Sequence, residues 1–88
     1  VIRRRVVIEG LVQGVFFRDS MGRLARQHGV SGWVANRRDG NVEAVFEGEP
    51  DAVGRLVSFS REGPRGARVD SVQVVEEEPE GSDGFDVR

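Results

Sequence analysis

The 88 residues carry 13 basic and 15 acidic side chains, a formal net charge of -2 and no cysteine. That length fits one domain, 1–88, with a modest two-layer core, and the lack of cysteine excludes disulfides, thiolate metal sites and cysteine nucleophiles. Every basic residue is arginine, which excludes a P-loop lysine and Schiff-base chemistry, and the small negative charge gives no bulk pull toward nucleic acid.

No apolar run approaches a membrane span, and "VIRRRVVIEG" lacks the long apolar stretch of a signal peptide. The expected setting is therefore cytoplasmic, without a membrane partner, and nothing in the chain demands an oligomer, so a monomer is expected.

"RVVIE", residues 5–9, is rich in β-branched side chains and reads as a strand. Gly10 to Phe17 reads as a loop with glycines at 10 and 14. From Arg18 to His28 the pattern turns helical, with Phe17, Met21, Leu24, Ala25 and His28 on one face and Gly29 placed to cap the end. Residues 30–36 and 41–48 read as two strands joined by a hairpin, for which Asp39-Gly40 is the signal.

A second helix begins near Glu49. Pro50 suits its first turn, Asp51 suits the dipole, and Val53, Leu56, Val57 and Ser60 form its inner face. "REGPRGA", 61–67, stops it. "RVDSVQVVEE", 68–77, is a fourth strand, an acidic turn follows, and "FDVR" is a short final strand. The order β-α-β-β-α-β predicts an α+β, ferredoxin-like sandwich, an antiparallel sheet with two helices on one face and the short strand appended. That fold hosts enzymes, metal carriers and RNA binders, so the site must decide between them.

The site candidate is "QGVFFR", 13–18. A sharp turn into a helix N-terminus aims unpaired N–H groups at one point, glycine permits the turn, and the helix dipole adds positive character. Such a nest suits an anion, with phosphate the usual occupant, and Arg18 at its rim supplies a fork for two oxygens. The bland alternative is a plain turn followed by a solvated arginine. Asn36, near a strand end before the hairpin, can donate to an anion and accept from a water, or merely start the turn. Trp33 reads as half-buried sheet packing.

Other chemistry is thinly supported. The single histidine, His28, falls at the far end of the first helix and reads as structural. Asp19 reads as a first-turn acid and Asp39 as a turn residue, so no metal site is expected. "EEEPE", 76–80, reads as a solvated edge that discourages strand pairing. A binding module using "RRR", 3–5, to hold RNA phosphate or a protein remains an alternative, although no strand carries the aromatic pair on which RNA-binding sheets stack bases.

Two separated stretches, "GLVQGVFFR" and "GWVANRRDGNVE", together resemble the acylphosphatase family. Gly10, Val12, Gln13, Gly14, Val15, Phe17 and Arg18 match its first motif. Gly32, Trp33, Val34, Asn36, Asp39, Gly40, Val42 and Glu43 match the second, and "GPRGARV", 63–69, resembles a weaker third. The similarity covers essentially the whole chain. It implies hydrolysis of acyl phosphates to a carboxylate and inorganic phosphate, without metal or cofactor. On that resemblance, backbone amides of Gln13, Gly14, Val15, Phe16, Phe17 and Arg18 cradle the phosphoryl group, the Arg18 side chain binds it, and Asn36 positions the attacking water. Many members carry threonine where Met21 stands, so a hydroxyl there would have to come from Ser20. Some end just past a strand like "FDVR", with a terminal carboxylate that orients the arginine. A carbamoyl-phosphate-directed domain, as found within larger maturation proteins, is the remaining alternative.

Overall fold

The computed structural model describes residues 1–88. Seven elements follow in order: β1 (Ile2–Leu11), α1 (Phe17–Gln27), β2 (Ser31–Asn36), β3 (Val42–Gly48), α2 (Pro50–Glu62), β4 (Arg68–Glu77) and β5 (Phe85–Val87). The sheet order is β4-β1-β3-β2-β5. The first four strands pair antiparallel, as the element order predicts. The final strand differs from its neighbours, adding to the β2 edge in parallel, with Trp33 opposite Asp86.

Both helices lie on one sheet face. Val6, Ile8, Val34, Val42, Ala44 and Phe46 point toward them and are buried, which is the period-2 alternation of a half-covered sheet. The α1 face closes the core with Phe17, Met21 and Ala25, and Leu24 is partly buried beside them. His28 lies at that helix's C-cap, half-buried in an open groove between the helices. From α2 come Val53 and Leu56, with Ser60 also buried and its hydroxyl donating to the Leu56 carbonyl at 2.8 Å. Phe17 meets Phe59 edge-on across the helix pair, centroids 5.6 Å apart.

β1 extends three residues before and two beyond the stretch read from the sequence. Hydrogen bonding to β3 and β4 at those ends recruits Ile2 to Arg4 into the ladder, a tertiary effect that local propensity does not carry. The extension also explains the arginine run. Arg3 and Arg5 stand on the helix-free face. Arg3 pairs with Glu47 at 3.1 Å and Glu77 at 2.9 Å, Arg5 with Glu43 and Glu77 at 2.6 Å each, and Arg4 lies 3.5 Å from Glu76. The acidic stretch 76–80 is thus not simply a solvated edge: Glu76, Glu77 and Glu80 all reach β1 arginines.

Glu47 anchors the β4–β5 connection. Its carboxylate is buried and accepts the backbone N–H groups of Glu80, Gly81 and Ser82 at 2.8, 2.9 and 2.9 Å, as well as Arg3 Nη1. The Glu80 amide first, then Arg3 and the other amides, outweigh desolvation and hold this carboxyl below its ordinary value. The unfolded chain regains an ordinary value near 4.5. Glu47 therefore contributes stability above that pH, and the contribution is lost as pH falls through the depressed folded value. Glu47→Gln is expected to melt lower than wild type at neutral pH, with the two melting curves converging as pH falls below about 4.5 and through the depressed folded value. A gap that stays constant over that acid limb would show that Glu47 does not titrate as the geometry requires.

Candidate active site

β1 and β2 run in the same direction, so the loop after β1 and the end of β2 lie at one end of the sheet. A bulge at Glu9/Gly10 shifts the register of β1 against β4, and pairing resumes at Gly10 and Leu11, which lead into the loop. Gly10 has φ 136°, and a Cβ there would sit 2.1 Å from the Arg68 carbonyl, so only glycine fits. Gly14 has φ 74° with open space around it. Its requirement is conformational, the left-handed backbone expected of a nest.

The turn closes on Phe16, also left-handed at φ 61°, which occupies the N-cap of α1 and provides no side-chain cap. No backbone N–H from Gln13 to Asp19 finds an acceptor within the protein; the first helical bond from this region is Ser20 N–H to the Phe16 carbonyl at 3.0 Å. Seven successive amides are left free at the positive end of a helix.

Arg18, in the first turn of α1, lines the same hollow as Gly14, together with Val12, Phe16, Phe17, Asp19 and Val87. Its guanidinium Nη1 donates to the main-chain oxygen of Arg88. Arg88 N–H in turn donates to the Val34 carbonyl at 2.9 Å, two residues before Asn36. The parallel seating of β5 is what brings this anchor to the arginine, aided by the contact of Val87 with Gly22 on α1.

Asn36 is the last residue of β2 and is exposed. It is two residues beyond buried Val34 and shares a register row with Ile8 and Val42 through β3, so its side chain faces the helix side of the sheet, where the loop lies. Its amide makes no hydrogen bond within the protein. The hairpin beyond it is a three-residue turn rather than a two-residue one: Arg37 N–H bonds the Asn41 carbonyl at 2.8 Å, Gly40 N–H bonds Arg37 at 3.2 Å, and Gly40 has φ 92°. Asp39 accepts from Asn41 N–H at 3.0 Å and from Arg37 Nε, in the turn role read for it.

The structure gives Gln13 a task that the sequence reading missed. Its side-chain nitrogen donates to the carbonyls of Arg37 at 2.7 Å and Asn41 at 2.9 Å, clamping the hairpin to the loop. Only its backbone amide is free to face an anion. The contact spans more than twenty residues, and no local spacing signals it. Met21 is fully buried in the core, so position 21 presents nothing to the loop, and Ser20 is half-buried one turn into α1. His28 sits at the opposite end of α1, about 16 Å along the helix axis from the loop.

The fold and this end of the sheet define a small ferredoxin-like domain with a turn of unpaired amides and an arginine at its rim. The acylphosphatase family profile matches residues 4–87. The chain is 59% identical to an acylphosphatase of Rubrobacter xylanophilus, over 98% of this chain and 79% of that one. It is 54% identical to one of Thermococcus kodakarensis, over 98% of this chain and 94% of that one. The crystal structure of acylphosphatase from Bacillus subtilis superposes with a TM-score of 0.95 at 32% identity, covering 100% of this chain and 99% of that one. The chain belongs to the acylphosphatase family of enzymes.

Proposed function

We propose that this chain hydrolyses the carboxyl–phosphate bond of acyl phosphates, with the phosphoryl group held by the amides of residues 13–18 and by Arg18, and the attacking water positioned by Asn36. The observation that carries the reading is the set of unpaired N–H groups from Gln13 to Asp19 beside the Arg18 guanidinium. An acyl phosphate is a mixed anhydride whose leaving group is a carboxylate, so expelling it needs no strong general acid. The site's task is to gather charge on the phosphoryl oxygens and hold a water in line.

In the step, the water oxygen forms a bond to phosphorus while the bond from phosphorus to the bridging oxygen breaks. The bridging oxygen keeps the electron pair and leaves as carboxylate. A water proton passes to a phosphoryl oxygen, because an asparagine amide is too weak a base to take it. The products are a carboxylate and inorganic phosphate.

The arginine run that an RNA-binding reading would use is engaged in ion pairs with Glu43, Glu47, Glu76, Glu77 and Glu80, which favours the enzyme reading. No three His, Asp or Glu side chains converge into a ligand set. Purified protein should therefore hydrolyse benzoyl phosphate at an unchanged rate after dialysis against EDTA. Activity lost to the chelator and restored only by a divalent ion would overturn the mechanism.

A further inference from the structure

Phe16 is the only non-glycine residue at positive φ in the chain. The turn demands that conformation, which glycine or asparagine meets with less strain than a bulky side chain does. Core packing does not account for the ring, which is 79% exposed, more than any other large hydrophobic side chain. It borders a hollow of about 340 Å³ that it shares with Val12, Gly14, Arg18 and Val87. That is the lower end of the size range of small-molecule sites, and the polar wall and the apolar wall stand side by side. A phosphoryl group on the amides and Arg18 leaves the rest of its substrate in the same hollow, against Phe16 and Val87.

We infer that Phe16, with Val87 opposite, forms the subsite for the acyl group and selects aromatic acyl phosphates over acetyl- or carbamoyl-sized ones. The inference rests on the proposed seating of the phosphoryl group on this loop. An aromatic acyl group gains ring contact and covers an apolar surface otherwise left in water. A methyl group covers little of it, and a carbamoyl nitrogen would face the ring without a hydrogen-bond acceptor.

The test is the ratio of kcat/KM for benzoyl phosphate to that for acetyl phosphate, because any disturbance of the loop amides affects both substrates together. Phe16→Asn, which tolerates the left-handed backbone, is expected to lower that ratio roughly tenfold, mainly by raising KM for benzoyl phosphate. Phe16→Tyr, which keeps the ring face, should retain the wild-type ratio, and Phe16→Asn should melt no lower than wild type. An unchanged ratio in Phe16→Asn would overturn the subsite. Failure of the loop reading looks different: Arg18→Ala would then hydrolyse both substrates at the wild-type rate and the ratio would carry no information about this hollow, so the subsite would fall with it.

Discussion

Arg18→Ala is expected to lower kcat for benzoyl phosphate by at least about a hundredfold, the order of effect for losing one preorganised charge-stabilising group. It should also abolish most of the stabilisation that phosphate gives the fold. A ligand that binds only the native state stabilises it by RT ln(1 + [L]/Kd), about 1.4 kcal/mol at ten times Kd, and each kcal/mol moves the melting midpoint of a domain this size by roughly 4–8 °C. Wild-type protein in saturating phosphate should thus melt several degrees above its midpoint in chloride at equal ionic strength, the control for screening. Arg18 stands at the rim of the hollow with its guanidinium anchored on the Arg88 main-chain oxygen. One edge of the fork is held by the fold while the rest stays available to phosphoryl oxygens. Arg18→Lys should not rescue, because an ammonium cannot span the anchor and two oxygens together. Wild-type kcat in Arg18→Ala, or equal phosphate shifts in the two proteins, would remove the arginine from the site.

The parts of this arrangement differ in how far the linear chain announces them. The loop was legible because its requirements are local: Gly14 supplies the left-handed turn, and a helix pattern starts directly after it. The two helices and the β2–β3 hairpin were legible for the same reason, since capping, periodicity and turn chemistry act within a few residues. What stayed hidden depends on residues far apart. Arg3 looks like a solvated charge until β1 places it within reach of Glu47, Glu77 and Glu80. The carboxylate of Glu47 grips residues 80–82 just ahead of β5, which then pairs parallel with β2, and a three-residue strand carries no signal for parallel or antiparallel pairing. The anchoring of Arg18 by Arg88 follows from that parallel pairing. The clamp made by Gln13 joins two loops that meet only because β1 and β2 run alike.

Asn36→Ala should separate rate from binding. Asn36 is assigned to the water, so the variant should lose on the order of a hundredfold in kcat and yet show nearly the wild-type melting shift in phosphate. Asn36→Asp should differ from it. That substitution keeps the shape but places a negative charge beside a bound anion, so phosphate affinity should fall along with rate. Gln13 sharpens the test, because its side chain reaches the site only through the hairpin that follows Asn36. Gln13→Met keeps the length and removes both donated hydrogen bonds, so the Arg37 and Asn41 carbonyls lose their grip on the loop. Its expected effect is a smaller fall in kcat than that of Asn36→Ala, with phosphate stabilisation largely retained. If Gln13 acts as a positioning residue for Asn36, the double variant should be no slower than Asn36→Ala alone, since residues acting through one group are not additive. Full activity in Asn36→Ala would overturn the water-positioning role. A double variant slower by the product of the two single effects would show that Gln13 serves the loop directly, with the phosphoryl cradle as the element it holds in shape.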